Sequence, residues 1–556
     1  MELDPLTLAV IKGGLEQVAE EMDLTLRRCA FSPVISESCD MANGIYTAHD
    51  GEVIVQGPKG LPVFVAIMQF AVKVVMEEAG AGGLAPGDIF ILNDPASGGS
   101  HLNDMKLVRP VFHDGKLFAM LANTAHWIDL GGNVPGNFGV RASEIFQEGF
   151  RLTPVKIYAA GVLNEALLET ILANTRVPQW CYGDLQAQVN ALLVGERRLG
   201  VLIERYGADL LQAAIAELRR RAEQQMRAAI ADIPDGTYRF SDGLDNDGVE
   251  DRPLTIVLAL EVRGNEMSLD FTGTSPQAQG TVNVSLSTAI SSAYVAIKHV
   301  FPHVPLNGGC FAPITFTIPP GSLLHPGEAS AAGGYNETAM RIIDVVLGAL
   351  GQAVPKQVPA ACFSTLNAIL ISGRHARRGR YVMFSFTGGG NGAAATLDGL
   401  THCNAAVGMA RSQPWEIIEH LYPVLYHQVA LRVDSAGAGR QRGGFGAIYR
   451  YELRDGPAVA SILGDRSRRG PFGVHGGQPG ATSRVRFLRR GGVYEPPLGT
   501  KDEHIALQAG DIIELQTPGG GGYGDPRQRS RAAITRDLAR GYLTLEAARR
   551  EYGYKG

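Results

Sequence analysis

"LNDPASGGSHLNDMKLVRPVFHDGKLFAMLANTAHWIDLGG", residues 92–132, contains the pattern His-x-x-Asp twice. The first copy runs from His101 to Asp104 and the second from His126 to Asp129. Between them lies Asp114-Gly115, flanked by apolar runs, which is a strong signal for a two-residue hairpin turn. The stretch therefore predicts a β-hairpin that carries one copy of the pattern at the outer end of each strand.

Counting outward from the turn brings the two copies side by side. With the Asp-Gly pair as the loop, the register predicts three cross-strand pairs: His113 with Lys116, Asp104 with Ala125, and Asn103 with His126. A slip of one residue changes which side chains share a face, so the count predicts proximity and leaves the detailed geometry open. Pro110 has no N–H to donate, so we expect its strand not to be fully paired on both sides.

The residue types in the two copies are those that bind transition metals. Imidazole and carboxylate together are common ligands of Zn, Mn and Fe. A single His-x-x-Asp is frequent by chance, and the alternative for each copy is solvated side chains on a turn. Two copies at the foot of one hairpin favour a metal site that contains His101, Asp104 and His126. Solvated side chains on turns remain the alternative. Asp40 is a further candidate, although its local pattern is also typical of a helix cap or turn.

The bulk composition describes an ordinary globular protein. The net charge of −5 gives no reason to expect binding to nucleic acid or to an anionic membrane. The six cysteines lack CxxC spacing, which favours reduced thiols over disulfides. The longest apolar run is interrupted by Gln69 and Lys73 and falls short of the ~20 residues that span a bilayer. The N-terminus has no secretory signal pattern, so we expect a cytoplasmic protein.

The pattern along the chain changes character several times. Asp4 and Pro5 predict a helix start, residues 161–231 predict long helices broken near Gly195 and Gly207, and residues 236–285 alternate as strands do. Glycine accounts for 69 of 556 residues, above the usual ~7%, which predicts extensive loops.

The expected fold class is α+β, multi-domain, with mixed and antiparallel sheets, a helical insertion and Gly-rich loops. The four predicted domains are an N-terminal α/β region with the metal site (1–160), a helical region (161–235), a β-meander with helices (236–400), and a β-rich, Gly-rich C-terminal region with two terminal helices (401–556).

Two glycine-rich segments leave a choice between binding and structure. Residues 387–399, "TGGGNGAAATLDG", fit a loose dinucleotide pattern but lack a convincing helix after it. Residues 434–446, "DSAGAGRQRGGFG", could cradle an anion or form a structural turn, and we favour the structural interpretation. The chain has no G-x-x-x-x-G-K-[ST] pattern, and we predict no cofactor-binding residues for a nucleotide.

Several separate motifs resemble those of the hydantoinase B/oxoprolinase family. They occur in this order: "NDPASGGSHLND", "AHWIDLGG", "EIFQEGFRLTPVKIY", "DFTGTSPQAQGTVN", "PLNGGCFAPI" and "TPGGGGYGDP". The resemblance covers essentially the whole chain. The family comprises the B-type subunits of ATP-dependent hydantoinases, 5-oxoprolinases and lactamases, together with the corresponding subunits of acetone and acetophenone carboxylases.

The resemblance implies a partner and a metal. The expected partner is an A-type subunit with an actin/Hsp70-like ATPase fold, which binds ATP and activates the substrate by phosphorylation. The B-type chain is then expected to complete the reaction at a divalent metal ion (Zn, Mn or Fe) within a hetero-oligomer. By matched position the metal ligands fall on Asp40, His101, Asp104 and His126. Asp129 is a further ligand or a partner of one, and His126 or Asp129 is the expected catalytic proton carrier.

Two positions depart from the family pattern. Phe64 stands where the family usually has histidine in a "PVH" segment, and Trp127 stands where the second signature often has a second histidine. Fewer imidazoles and a more apolar wall suggest a different mode of metal binding, or a bulkier and even aromatic substrate.

Three functions remain open at this point. The first is the B-type subunit of an ATP-dependent cyclic amide hydrolase for a hydantoin, oxoproline or lactam, which we prefer because the family uses it most widely. The second is the B-type subunit of an ATP-dependent acetone/acetophenone-type ketone carboxylase. The third is a scaffold subunit that has lost catalysis.

Overall fold

A computed structural model describes residues 3–80, 83–404, 406–408 and 410–556. Within these residues eleven helices accompany four β-sheets. The helices are α1 (Pro5–Cys29), α2 (Pro33–Ser36), α3 (Phe64–Ala79), α4 (Glu165–Ala173), α5 (Pro178–Tyr206), α6 (Ala208–Ala231), α7 (Leu286–Val300), α8 (Tyr335–Ala353), α9 (Trp415–Leu421), α10 (Arg531–Ala539) and α11 (Leu545–Tyr552).

The strands fall into two groups along the chain. The N-terminal half contains β1 (Met41–Thr47), β2 (Val53–Gln56), β3 (Ile89–Leu92), β4 (Asp104–His113), β5 (Lys116–His126), β6 (Val155–Ala159), β7 (Val162–Leu163), β8 (Gly236–Leu244), β9 (Leu254–Arg263) and β10 (Glu266–Asp270). The remainder are β11 (Ile314–Thr317), β12 (Ala368–His375), β13 (Gly379–Ser385), β14 (Val424–Leu431), β15 (Ala447–Leu453), β16 (Ala458–Leu463), β17 (Arg484–Arg489), β18 (Gly492–Tyr494), β19 (Lys501–Leu507) and β20 (Ile512–Gln516).

The predicted hairpin lies at the centre of the largest sheet. Its strand order is β2-β1-β5-β4-β3-β6-β7, with antiparallel neighbours throughout. Helices α1 and α5 share one apolar core cluster with residues on one face of this sheet, and α3 shares another with the opposite face. Asp104 and His126 lie on the α3 face, because side chains alternate along a strand and Val108 and Ala122 of that face pack with α3.

The register of the hairpin corrects the count from the turn. His113 pairs with Lys116 as predicted, but the pairing shifts by one residue between Val111 and Phe112. The predicted pairs Asp104–Ala125 and Asn103–His126 are therefore wrong, and the structure pairs Asp104 with His126. The extra residue is Phe118, which packs in the same core cluster as its neighbour Ala119. A β-bulge of this kind lets two successive side chains face the same side.

The prediction for Pro110 is confirmed. It pairs with Met120 of β5, whereas β3 pairs only with the segment from Lys106 to Val108. The proline therefore lies where the other side of β4 needs no N–H donor.

The helical region agrees with the sequence except at one glycine. The predicted break at Gly207 is confirmed, since α5 ends at Tyr206. The predicted break at Gly195 is wrong, because α5 continues through it. A side chain at Gly195 would meet the sulfur of Met22 on α1 at 2.5 Å, so this glycine permits close packing of the two helices. Asp4 caps α1 as expected, and Thr544 caps α11.

The glycine-rich segments pack against each other through their backbones. Gly444 N–H donates to the Asn391 carbonyl at 2.8 Å, and Gly390 N–H donates to the Pro518 carbonyl at 3.1 Å. A side chain at Gly443 would meet the Gly520 oxygen at 1.9 Å. These N–H groups are engaged by neighbouring carbonyls, which supports the structural interpretation of both segments over a nucleotide or anion cradle.

The remaining sheets complete an α+β fold. Their orders are β11-β10-β9-β8, β13-β12-β16-β19 and β14-β15-β20-β17-β18. Only β10 and β11 are parallel among the pairs described, so the first of these sheets is mixed and the other two are antiparallel. The predicted fold class is confirmed, and the division into four domains stays a prediction. In the described part of the chain, none of the helices has the length and apolar character needed to span a bilayer.

Candidate metal centre

The site is built at the end of the hairpin that lies opposite the turn. Asp104 is the first residue of β4 and His126 is the last residue of β5, and the two are cross-strand partners. His101 precedes β4 by three residues, and its carbonyl accepts a hydrogen bond from Asp104 N–H at 3.2 Å. This tight turn folds the His101 imidazole back over the start of the strand.

Three side chains converge on one oxygen atom. Asp104 Oδ1 lies 3.1 Å from His101 Nε2 and 3.4 Å from His126 Nδ1. One ligand atom from each of the three residues lies within 4.8 Å of the others. All three residues are at most 2% exposed. The structure thus brings together three of the residues that the two His-x-x-Asp patterns single out.

Part of this polar group has no hydrogen-bond partner. Asp104 Oδ1 and His101 Nδ1 are buried, and neither forms a hydrogen bond with a described residue. Buried polar atoms are nearly always satisfied, because an unpaired one costs roughly 1–3 kcal/mol. A carboxylate oxygen at ion-pair distance from two imidazoles, yet without a hydrogen bond, has the arrangement expected of atoms that share a bound cation.

Burial and neighbouring side chains shift the pKa values of the Asp104 and Asp40 carboxylates. Burial raises the pKa of Asp104, but its interactions with the neighbouring imidazoles of His101 and His126 outweigh burial and hold that pKa well below its usual range. Burial raises the pKa of Asp40 to about 7, with His126 lowering it and Asp104 raising it. Asp104 is therefore the anionic centre of the group.

Asp40 lies at the edge of the group. Its Oδ2 atom is 3.9 Å from His126 Nδ1, and its carbonyl accepts the His126 N–H at 3.1 Å. Cys39 before it adopts a positive φ of 59°, which turns the chain from α2 into β1. The side chain of Asp40 is 14% exposed, so it lies between the buried trio and the solvent side of the pocket.

Asp129 lies outside the group. Its carboxylate accepts hydrogen bonds from the N–H groups of Gly131, Gly136 and Arg176, and it forms an ion pair with Arg176 Nη1 at 3.0 Å. The chain leaves β5 after His126, and Trp127 and Ile128 pack into the core before Asp129 is reached. The second copy of the pattern thus contributes its histidine to the site and its aspartate to the loop that follows.

The two family departures lie away from the pocket walls. Trp127 is fully buried, and its Nε1 donates to Gln188 Oε1 of α5 at 2.9 Å. Phe64 is buried at the start of α3 in the core cluster of that face. Neither residue lines the cavity above the three ligand candidates, so the expected apolar wall does not come from these two positions.

The cavity above the trio is small and has an aromatic wall. It measures about 30 Å³, which admits water but is far below the ~300 Å³ or more of a typical ligand pocket. Phe384 stacks on His126 with ring centroids 5.1 Å apart, and Phe138 stacks on Phe384 at 5.2 Å. The other lining side chains include Phe386, Tyr335, Asn336 and Asn404.

No sequence pattern predicts these wall residues. Phe384 lies near the end of β13 and Phe386 directly follows that strand. Tyr335 and Asn336 open α8, and all four residues are more than 190 positions from the hairpin. Their local patterns are those of an ordinary strand and an ordinary helix start, so no signal marks them before the chain is folded.

Lys106 is a second buried group that the sequence did not single out. It is fully buried on β4, and its Nζ donates to the Asp104 carbonyl at 3.0 Å. Burial lowers the pKa of Lys106 to about 8, while the Asp104 charge opposes that shift. The site thus combines two imidazoles, two carboxylates and one buried amine.

The chain is similar along its length to proteins of one family. The family model described as "Hydantoinase B/oxoprolinase" matches residues 4–526. The caprolactamase subunit beta of Pseudomonas jessenii is 34% identical, over 99% of this chain and 96% of that protein. The crystal structure of the ATP-dependent caprolactamase from Pseudomonas jessenii superposes with a TM-score of 0.94 at 32% identity, covering 100% of this chain and 96% of the other. An acetone carboxylase structure has the same fold, with a TM-score of 0.93 at 20% identity, covering 100% and 80% of the two chains.

Proposed function

The chain belongs to the hydantoinase B/oxoprolinase family, and from that premise we propose that it is the B-type subunit of an ATP-dependent cyclic amide hydrolase. Its substrate class is a hydantoin, an oxoproline or a lactam. The observation that carries the proposal is the convergence of His101, Asp104 and His126 beneath a pocket, in a chain similar along its length to a caprolactamase subunit.

The residues present fit a divalent metal ion. Two imidazole nitrogens and one carboxylate oxygen form a donor set suited to Zn, Mn or Fe. The unpartnered Asp104 Oδ1 supports this fit, since a cation would satisfy it. Asp40 is the fourth proposed ligand, because its carboxylate lies beside His126. A divalent ion bound here supplies a Lewis acid that polarises a carbonyl oxygen or lowers the pKa of a water molecule toward ~7.

The chain's own residues exclude water and orient the substrate. Phe138, Phe384 and Phe386 form an apolar wall, which lowers the dielectric constant around the polar group. Asn336 and Asn404 line the same cavity and carry amide groups that can hydrogen bond to an amide substrate. Because the cavity holds about 30 Å³, a ring-sized substrate requires the walls to move apart.

Of the two candidate proton carriers, His126 and Asp129, we keep only His126. Asp129 is not proposed for this role, because its carboxylate is bound by Arg176 and by backbone N–H groups. His126 stays in it as a metal ligand, and its proposed part in proton transfer is kept. It is the group of the second copy that faces the cavity.

ATP belongs to a partner in this proposal. The relative from Pseudomonas jessenii is named a subunit beta, and the solved caprolactamase is described as ATP-dependent. This chain carries no P-loop pattern, and its glycine-rich N–H groups bond to its own carbonyls. We therefore expect an A-type ATPase subunit in a hetero-oligomer, with the activated substrate reaching the pocket of this chain.

The second candidate function is an ATP-dependent ketone carboxylase. The likeness to acetone carboxylase extends across this chain, so the fold accommodates both reactions. The decisive experiment combines the chain with its ATPase partner and ATP, and supplies a hydantoin, a lactam or a ketone with and without bicarbonate.

The two reactions leave different products in that assay. Ring-opened product without bicarbonate is the expected result. Incorporation of labelled bicarbonate carbon into a ketone would replace the hydrolase by the carboxylase. If the purified chain binds no metal and the complex keeps full activity with His101→Ala and His126→Ala, the chain is a scaffold subunit without a catalytic role.

A further inference from the structure

Tyr335 contacts the candidate metal centre from a distant part of the chain. We propose that it is a positioning residue: together with Ser100 it holds one oxygen of Asp104, so that the other oxygen faces the two imidazoles. This inference rests on the proposed metal site and extends it to a side chain whose local sequence pattern gives no sign of such a role.

The two oxygens of Asp104 have different surroundings. Oδ2 accepts hydrogen bonds from the Ser100 hydroxyl and from the Tyr335 hydroxyl, the latter at 3.3 Å. Oδ1 has no hydrogen-bond partner among the described residues and lies within 3.4 Å of a nitrogen from each imidazole. Two donors on one oxygen set the plane of the carboxylate, and the free lone pairs of the other then point toward His101 and His126.

Tyr335 also packs on a second member of the group. Its ring centroid lies 4.9 Å from that of His101, and Phe138 approaches the same imidazole edge-on at 5.5 Å. Tyr335 is 3% exposed and has little room to change rotamer. One side chain therefore restrains both the carboxylate and an imidazole, which preserves the arrangement when no ion is bound.

Two hydrogen-bonded glycines fix the position of Tyr335. It is the first residue of α8, and Gly333 and Gly334 precede it. Gly333 N–H donates to Glu148 Oε1 at 2.7 Å, and Gly334 N–H donates to the Thr281 carbonyl at 2.9 Å. Glu148 is fully buried and lies on the loop that follows the hairpin. The start of α8 is thus tied to the same part of the molecule that carries Asp104.

The hydroxyl is the informative part of this side chain. Phe138 packs on the same imidazole without any polar group, so an apolar contact alone does not require a tyrosine. The phenol of Tyr335 is protonated at neutral pH and can donate to a carboxylate. Its removal leaves the packing largely in place and takes away one of the two donors to Oδ2.

The test measures metal binding by the full chain, independently of catalysis. Wild type and Tyr335→Phe are stripped of metal and titrated separately with Zn²⁺ and Mn²⁺ in competition with a chromogenic chelator. Removal of a group that orients a ligand typically weakens affinity by about 10–100-fold, and we expect about tenfold for this variant. Ser100→Ala, which removes the other donor, is expected to have a similar effect.

Tyr451→Phe is the matched control. Tyr451 is buried on β15, and its hydroxyl has no hydrogen-bond partner among the described residues. Its loss is expected to leave metal affinity unchanged. The visible spectrum of the Co²⁺-loaded chain gives a second readout, and we expect its bands to shift in Tyr335→Phe and not in Tyr451→Phe.

The outcomes separate this inference from the proposed function. Unchanged affinity and spectrum in both Tyr335→Phe and Ser100→Ala, with wild type binding metal, would overturn the positioning role and leave the metal site intact. A lower melting temperature with unchanged affinity would also overturn it, since that is a purely structural effect. If wild type binds none of these ions, the metal site itself fails and the positioning role fails with it.

Discussion

His126 Nδ1 lies 3.4 Å from Asp104 Oδ1 because one extra residue, Phe118, shifts the register of the hairpin that joins them. Without that β-bulge, His126 would face Asn103 and its imidazole would be offset from the carboxylate by one position. The bulge thus places two ionisable groups from different strands in one cluster. Bulges near functional sites commonly redirect side chains in this way.

The first prediction concerns the two imidazoles. His101→Ala and His126→Ala each remove one nitrogen donor from the trio, and we expect bound metal to fall to background in elemental analysis of the purified chain. His113→Ala is the matched control, since this histidine lies at the exposed end of the same hairpin. Full metal content in both pocket variants would place the ion elsewhere.

The second prediction concerns Asp129. Asp129→Asn removes the charge that faces Arg176, whose side chain is 21% exposed. We expect a loss of about 2 kcal/mol in the free energy of unfolding, below the ~3–5 kcal/mol typical of a fully buried pair. Metal affinity is expected to stay unchanged. Asp114→Asn, at the exposed hairpin turn, serves as the control, and a selective loss of metal or of turnover in Asp129→Asn would restore its catalytic assignment.

The third prediction is a pH dependence that arises from Lys106. Burial lowers its pKa to about 8 in the folded chain, against 10.5 for an exposed lysine. Between these values the unfolded chain binds more protons than the folded chain, so the stability of wild type rises as pH increases through this window.

Lys106→Met removes that dependence. At pH 7 we expect the metal-free variant to be more stable than wild type by on the order of 3 kcal/mol, which corresponds to the depressed pKa. The difference should shrink toward pH 10 in denaturant titrations. A constant difference across this range would mean that the buried amine is not the titrating group.

The fourth prediction compares two glycines of α5. Gly195→Ala places a methyl group 2.5 Å from the Met22 sulfur and 3.1 Å from Leu121 Cδ1, and overpacking of this kind costs about 1–3 kcal/mol. At Gly200 nothing lies within 4 Å of the added carbon, so Gly200→Ala should stabilise the chain by up to ~1 kcal/mol. Thermal unfolding of both variants tests this, and equal effects would contradict the close contact of α1 with α5.

The fifth prediction concerns the aromatic wall. Phe386→Ala enlarges a cavity of about 30 Å³, and we expect the ratio of kcat/KM for a bulky over a small cyclic amide to rise by roughly tenfold, the scale of hydrophobic pocket discrimination. Phe112→Ala, on the half-buried end of the hairpin, is the control. An unchanged ratio would remove Phe386 from the substrate-binding surface.

Local chemistry made several features predictable from the sequence. Asp114-Gly115 specifies a tight turn through its backbone preferences, and the structure contains that turn. Asp4 caps α1 through hydrogen bonds from the N–H groups two and three positions after it. The presence of the hairpin, the alternation of its faces and the nearness of His101 to His126 all follow from such short-range rules.

Tertiary packing decided the rest. The bulge at Phe118 reflects burial of two successive side chains against the same core cluster, which a strand pattern read alone does not reveal. Asp129 lies outside the candidate metal site because Arg176 and three backbone N–H groups hold its carboxylate. Tyr335 reaches Asp104 across 231 positions of sequence. The sequence by itself determined which ionisable groups lie on the hairpin, whereas long-range packing determined which of them share a pocket, because burial depends on side chains that meet only when the chain has folded.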